Sequence, residues 1–104
     1  MDTVIRKLYK IKKQPIIHLG RKSVILLRAY IDGYIDREME YNTCFHSLFF
    51  EFYDFIEEHY KMAPNHHWDR ILYAYSSTDE DAFDLFYRYL DDFLKLKNID
   101  PNLE

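Results

Sequence analysis

The chain has 104 residues and a net charge of −4, and its hydrophobic fraction of 48% is too high for a disordered segment. A charged fraction of 31%, with no uninterrupted apolar run of about 20 residues, excludes a membrane-spanning helix. The single cysteine excludes an internal disulfide and is typical of a reducing compartment. We therefore expect one domain, residues 1–104, located in the cytoplasm, since the first residues also lack the features of a secretory signal.

The charges are distributed unevenly along the chain. Residues 1–28 contain eight lysines and arginines and one acidic residue, whereas residues 29–104 contain six and seventeen. Only two glycines accompany ten tyrosines and eight phenylalanines, which favours helices over turn-rich structure. A basic first quarter joined to an acidic remainder points to a charged binding partner.

A basic amphipathic helix is predicted at residues 3–13. Apolar side chains recur there at helical spacing, cations lie between them, and Pro15 ends the segment. A second helix follows, with Ser23 as its N-cap. Gly33 lies inside that helix at a cost of up to about 1 kcal/mol relative to alanine, so we expect a neighbouring helix to pack closely against it.

The sequence GRKS at residues 20–23 raises the question of a phosphate-binding loop. Such a loop has a first glycine five residues before the second. Pro15 stands at that position and has no N–H group to offer an anion. The simpler interpretation, in which Ser23 begins a helix, is therefore favoured.

Three further helices are predicted downstream. Asn42 or Thr43 caps the third, which carries a wide aromatic stripe. A short fourth helix begins near Trp68. The last helix begins after Thr78, which with Asp81 three residues later forms a variant of the capping box. The sequence therefore predicts an all-α, single-domain bundle of four to five helices, with residues 98–104 frayed.

Metal and catalytic sites were considered from the residues that such sites use. Cys44, His46, His59, His66 and His67 lie close together in the sequence, but no His-x-x-x-His or second cysteine supplies the spacing that zinc requires. No cofactor motif or catalytic constellation is visible, and catalytic loops commonly use glycine. We predict no enzymatic activity, no metal and no cofactor.

Acidic and aromatic side chains form the candidate binding surface. Acids recur at helical spacing along one side of the third predicted helix and of the last, and between residues 79 and 92 six acids face a single arginine. A solvated face is the simplest interpretation, but such a surface also suits a basic partner. Four tyrosines, at positions 53, 73, 87 and 89, exceed what a small bundle can bury and are expected at an interface. The candidate partner-binding residues are Glu51, Asp54, Glu58, Asp81, Asp84, Asp91, Asp92 and Tyr87.

Several segments resemble a family of small bacterial proteins. The matching segments are PIIHLGRKSVILLRAYIDGY at residues 15–34, WDRI at residues 68–71 and AFDLFY at residues 82–87. They resemble the immunity proteins of polymorphic toxin systems, including contact-dependent growth inhibition. The resemblance implies that the chain binds and neutralises a cognate toxin. Because such toxins are often nucleases with cationic active sites, an acidic face would cover the site that holds the phosphodiester backbone.

Two alternatives remain open at this point. The cations Arg6, Lys7, Lys10, Lys12, Lys13, Arg21 and Lys22 provide a surface for nucleic acid, although the net charge of −4 opposes approach to a polyanion. The same cations can instead dock on the acidic helices within the chain. An adaptor role, including a homodimer formed through surplus aromatic side chains, is the second alternative. On the leading hypothesis Asp84 and Asp91 lie on the solvent side of the last helix, where their reversal leaves the fold intact.

Overall fold

The computed structural model describes residues 2–61 and 67–100, and these ranges contain α-helices and no β-strand. The helices are α1 (Thr3–Lys13), α2 (Pro15–Leu19), α3 (Val24–Tyr41), α4 (Leu48–Tyr60), α5 (Trp68–Ala74) and α6 (Asp79–Leu96). The all-α prediction is confirmed, with one helix more than expected. The additional helix is α2, since Pro15 both follows α1 and occupies the first turn of a new helix, a position that proline favours.

A single hydrophobic core joins α1, α3, α4, α5 and α6. Its largest fully buried side chains include Phe49, Phe52 and Phe86. The helix α6 contributes seven buried residues and contacts α3, α4 and α5, so it lies at the centre of the packing. Its acidic side chains are consequently confined to the two flanks that remain outside the core.

Asp2 begins two helices at once. Its Oδ1 accepts hydrogen bonds from the backbone N–H groups of Val4 (3.0 Å) and Ile5 (3.2 Å) at the start of α1. The same carboxylate accepts from the Ser47 hydroxyl (2.8 Å) and the Leu48 N–H (2.7 Å) at the start of α4. The half-buried carboxylate of Asp2 thus pairs with backbone N–H groups that two helix N-termini would otherwise leave without a partner.

Asp79, the first residue of α6, accepts hydrogen bonds at the N-terminus of α3. Its carboxylate accepts from the Val24 N–H (2.8 Å), from the Ser23 hydroxyl and from Arg21 Nη1 (3.0 Å). Ser23 also accepts from the N–H of Leu26 (3.0 Å) and is therefore the N-cap that the sequence predicts. The GRKS segment starts a helix, and its N-terminus holds a carboxylate of the chain.

Two local predictions are wrong. The helix predicted third corresponds to α4, which begins at Leu48 with Ser47 as its cap and not with Asn42 or Thr43, because Ser47 is the residue that reaches Asp2. Gly33 is exposed, and a Cβ atom built there would meet nothing within 4 Å. None of the described helices packs closely against it.

A capping motif closes the end of α6. Asn98 adopts the left-handed conformation (φ 58°) and its N–H donates to the carbonyl of Lys95 (3.1 Å), while the N–H of Ile99 donates to the carbonyl of Leu94 (2.9 Å). This pattern is a Schellman motif. The fraying expected for residues 98–104 stays a prediction, and residues 101–104 lie outside the described residues.

Candidate functional site

The two flanks of α6 carry the candidate site residues. On one flank α6 meets the basic N-terminal segment, a region that we call the α1–α6 seam and define by Lys12, Arg21 and Lys22 with their acidic partners. On the other flank α6 meets α4, and the depression between them is called the α4–α6 groove. The groove is defined by Glu51, Asp54, Phe55, Glu58, Phe93, Leu96 and Lys97.

In the α1–α6 seam, Asp91 is held by α1. The Tyr9 hydroxyl donates to Asp91, and Lys12 Nζ lies 3.5 Å from the same carboxylate. Burial, together with the hydrogen bond to Asp91 and the charge of Asp91, raises the pKa of Tyr9 above its ordinary value. Tyr9 therefore remains a neutral hydrogen-bond donor at physiological pH, and Asp91 is paired within the chain.

The N-terminal half of the seam is paired in the same way. Lys22 Nζ lies 2.7 Å from Asp84 and 4.0 Å from Glu80, and it also sits 5.7 Å from the centre of the Phe83 ring. The hydrogen bond to Asp84 raises the pKa of Lys22 against the opposing effect of burial, and the nearby acids raise it further. Arg21 pairs with Asp79 at 3.0 Å. The basic segment thus docks on the acidic helix.

These contacts change the interpretation of two candidate binding residues. Asp84 and Asp91 were expected to face solvent and to be free for a partner. The Asp84 side chain is 54% exposed and that of Asp91 is 39% exposed, but each forms an ion pair inside the chain. A partner would have to displace Lys22 or Lys12 to reach them, and we expect reversal of their charge to destabilise the fold.

Tyr87 is not at the surface. It is 3% exposed, and its hydroxyl donates to the backbone carbonyl of Leu8 at 2.5 Å. Burial, the neighbouring Tyr9 and the charge of Asp91 raise its pKa. The prediction that Tyr87 contacts a partner is wrong for the protein as folded, because this tyrosine fixes α6 against α1.

The α4–α6 groove combines an apolar floor with an acidic rim. Its volume is about 410 Å³. Phe55 and Phe93 pack together with ring centres 5.4 Å apart, and Leu96 beside them is 71% exposed. Glu51, Asp54 and Glu58 supply the rim from α4. The groove therefore offers apolar contact area and negative charge to the same ligand.

The negative charge of this rim is only partly compensated. Lys97 Nζ lies 3.0 Å from Glu51 and 5.7 Å from the centre of the Phe93 ring. Neither Asp54 nor Glu58, both exposed, forms an ion pair or hydrogen bond through its carboxylate with any residue in 2–61 or 67–100. Asp92 is exposed on α6 one turn before Leu96, on the same side of the helix. Uncompensated acids thus surround the exposed leucine.

Asp81 lies at a different depression. It shares a cavity of about 510 Å³ with Tyr60 and Tyr75, near the start of α6. The rings of Tyr60 and Tyr75 lie 4.4 Å apart, and Tyr75 is 58% exposed. The hydroxyls of Tyr60 and Tyr89 are 2.7 Å apart and hydrogen bonded. Of the four tyrosines proposed for an interface, Tyr73 is 47% exposed, while Tyr53 and Tyr89 are half-buried.

Some groove residues were assigned to the core by their spacing. Phe55, Phe93 and Leu96 continue the apolar stripes of their helices, so periodicity alone does not distinguish them from core residues. The sequence signal that could have indicated an exposed Leu96 is its position two residues before Asn98, a residue type that often ends helices. An apolar side chain at the end of a helix has fewer neighbours to bury it. Tyr75 forms the C-cap of α5.

Within residues 2–61 and 67–100, no three His, Cys, Asp or Glu side chains are grouped to hold a metal ion. Cys44 and His46 are exposed, and His66 lies outside the described residues. None of the described helices has the length and apolar character needed to cross a membrane.

Comparison with protein-family models, with curated proteins and with solved structures gave no match. The resemblance to immunity proteins therefore remains a prediction from the sequence, and the site is defined by its geometry alone.

Proposed function

We propose that the chain is an immunity protein that acts in the cytoplasm by binding a cognate toxin domain. The contact surface in this proposal is the α4–α6 groove together with Asp92. Binding places the acidic rim against a cationic active site or substrate-binding surface of the toxin and excludes the toxin's substrate. A nuclease is the expected toxin class, as the sequence resemblance implies.

The observation that carries this proposal is the pair of uncompensated carboxylates of Asp54 and Glu58 beside the exposed Leu96. An isolated acidic face is solvated at little cost, and an isolated exposed leucine is common on protein surfaces. Their combination in one concave site is less usual. Interfaces place an apolar anchor at the centre and charges at the rim, and the groove has this arrangement.

The chemistry of the groove defines the binding element of the partner. It is a convex segment that carries at least one large apolar side chain flanked by lysine or arginine. The charges accelerate encounter with a cationic partner, and burial of the apolar anchor slows dissociation. Both are properties that an inhibitor of a toxic enzyme requires.

The experiment uses the protein encoded by the neighbouring gene as the candidate toxin. Calorimetry measures its affinity for the native chain and for the double variant Asp54→Lys, Glu58→Lys. We expect the double variant to bind at least roughly 30-fold more weakly, which corresponds to about 2 kcal/mol. Cells that express the toxin should lose protection by the variant in parallel.

A matched control is available on α3. Asp36 and Glu40 are exposed and four residues apart, as Asp54 and Glu58 are on α4, and α3 does not line the groove. The variant Asp36→Lys, Glu40→Lys changes the net charge by the same amount and should retain native affinity within about threefold, as expected for charges outside an interface. If both variants lost the same affinity for the toxin, the loss would be caused by the change in net charge, and this would contradict a binding site in the groove.

The seam weighs against the alternative of a nucleic-acid-binding N-terminus. Three of the seven proposed phosphate contacts, Lys12, Arg21 and Lys22, are paired with acids of α6. Lys7 lies 5.6 Å from the centre of the Tyr30 ring. The intramolecular docking that the sequence left open is the arrangement observed. Salt-sensitive retention on heparin would support the nucleic-acid alternative instead.

A further inference from the structure

A second exposed apolar site lies on α2, which is distant in the sequence from the residues of the groove. Ile16 is 70% exposed and Ile17 is 73% exposed, and the helix α2 that carries both has no fully buried residue, although its Leu19 packs against the edge of the core. Lys10 and Lys13 precede these isoleucines, both are exposed, and neither forms a salt bridge or hydrogen bond through its side chain with any described residue. This exposed surface is therefore apolar and basic; we call it the α2 tip and define it by Lys10, Lys13, Ile16 and Ile17.

The α2 tip and the α4–α6 groove are complementary. The tip presents two isoleucines beside uncompensated lysines, whereas the groove presents Leu96 beside uncompensated carboxylates. The tip has the composition that the groove requires of a ligand. It cannot occupy the groove of its own chain, because α2 packs on α1 and α3 while the groove lies between α4 and α6.

We propose that the groove binds the α2 tip of a second copy of this chain. Ile16 and Ile17 contact Leu96 and Phe55, and the lysines of the tip face Asp54 and Glu58. The contact is heterologous, because different surfaces of the two copies meet, so each copy retains one free tip and one free groove. The proposal shares the groove with the proposed function but does not depend on a toxin.

Charge favours a second copy docked in this orientation over a symmetric pairing of two tips, because two α2 tips facing one another would oppose lysine with lysine, which is repulsive. The contact is small in either arrangement, since the exposed apolar area of a tip is only that of two isoleucines, well below the roughly 800 Å² per partner of a stable interface. A weak, salt-sensitive and concentration-dependent association is therefore expected.

Sedimentation velocity of the purified full chain, without toxin, tests the proposal. The weight-average mass should rise with protein concentration at about 0.05 M NaCl. The association constant obtained from this rise should be at least about tenfold lower at about 0.5 M NaCl, because the Debye length falls from roughly 14 Å to roughly 4 Å. Both Ile16→Ser, Ile17→Ser and Asp54→Lys, Glu58→Lys should be monomeric, whereas Asp36→Lys, Glu40→Lys should associate as the native chain does.

Mixing the two monomeric variants gives the sharpest outcome. The isoleucine variant retains its groove and the groove variant retains its tip, so together they should form a 1:1 dimer that grows no further. Circular dichroism confirms that each variant is folded. A native chain that stays monomeric, or a mixture that fails to dimerise, overturns the proposal. So does binding of the monomeric native chain to anionic phosphatidylglycerol vesicles through Ile16 and Ile17, which would assign the tip to a lipid surface.

Because the toxin is absent, failure of this experiment leaves the affinity measurements of the proposed function unaffected. Conversely, self-association with no loss of toxin affinity in the groove variant would support this contact and contradict the proposed function.

Discussion

The α1–α6 seam and the α4–α6 groove lie on opposite flanks of α6 and differ in how far their acidic residues are paired with cations. In the seam, Asp79, Asp84 and Asp91 each have a cationic partner from the first 22 residues. In the groove, Asp54 and Glu58 have none among the described residues. Acidic residues that look equivalent in sequence thus serve two purposes, since the seam stabilises the fold and the groove remains available to a ligand.

This contrast explains why charge spacing alone identified too large a site. A run of acids on α6 indicates a surface for cations, and the chain itself supplies most of those cations from its basic first quarter. Only the acids out of reach of that segment remain uncompensated. Variants of one flank can therefore be compared directly with variants of the other.

The largest effect is expected from charge reversal in the seam. The double variant Asp84→Lys, Asp91→Lys should lower the free energy of unfolding by about 2–4 kcal/mol. The variant loses the hydrogen bond from Tyr9, which contributes about 1–3 kcal/mol because its acceptor is charged. It also replaces two solvent-exposed ion pairs, each worth up to about 1 kcal/mol, with like charges opposite Lys12 and Lys22. Urea denaturation followed by circular dichroism measures the change. A loss below about 0.5 kcal/mol, typical of exposed substitutions, would show that the seam contacts do not stabilise the fold.

The second effect concerns Asp79, at the N-terminal end of the seam. Asp79→Ala should cost about 1–3 kcal/mol, since it removes the acceptor for Val24, Ser23 and Arg21. Burial raises the pKa of Asp79, but the hydrogen bonds from these three groups and from Ile25 outweigh it, so the pKa is below its ordinary value.

The pH dependence of this effect has a definite sign. A depressed pKa contributes stability above the unfolded value of about 3.9, and that contribution is lost as the pH falls through the folded value. The stability difference between Asp79→Ala and the native chain should therefore shrink below about pH 4. A difference that stays constant down to the lowest accessible pH would assign the loss to packing.

A smaller effect is expected at high pH. Burial raises the pKa of both Tyr9 and Tyr87, and the charge of Asp91 adds to the increase. A raised pKa contributes stability below the unfolded value of about 10, and this contribution is lost as the pH rises further. The native chain should thus lose stability above about pH 10, and Tyr9→Phe should lose less over the same interval. Thermal unfolding at several alkaline pH values provides the comparison, and identical slopes would contradict the assignment.

The sequence predicted features that depend on contacts between residues close in the chain, and it failed where the partners are distant in the chain. Ser23 and Thr78 were identified as caps because each bonds to a backbone N–H three residues away. The start of α4 was misplaced because Ser47 is selected by Asp2, which lies 45 residues earlier. Tyr87 was assigned to the surface for the same reason, since its acceptor on Leu8 is remote in sequence.

The candidate site divides in the same way. Helical periodicity placed Asp54 and Glu58 together on one side of α4, and they line the groove. It also grouped Asp84 and Asp91 on α6, but their pairing with Lys22 and Lys12 depends on how α1 packs. Charge spacing within a helix is local information, whereas charge compensation is a property of the fold.

The smallest effect on stability is expected from the groove. Asp54→Lys, Glu58→Lys should change the free energy of unfolding by no more than about 0.5 kcal/mol, because both side chains are exposed and unpaired in the described structure. Urea denaturation alongside the seam variant gives the contrast directly. A loss comparable to that of the seam variant would mean that these carboxylates have a structural role.

The central claim, that the acids of the groove are available and those of the seam are not, is tested most directly by NMR. A short peptide of alternating lysine and leucine is titrated into the ¹⁵N-labelled chain at low salt, and amide chemical shifts are followed. The largest shifts are expected on Asp54, Glu58 and Leu96. Shifts centred on Asp84 and Asp91, with the groove unperturbed, would contradict it.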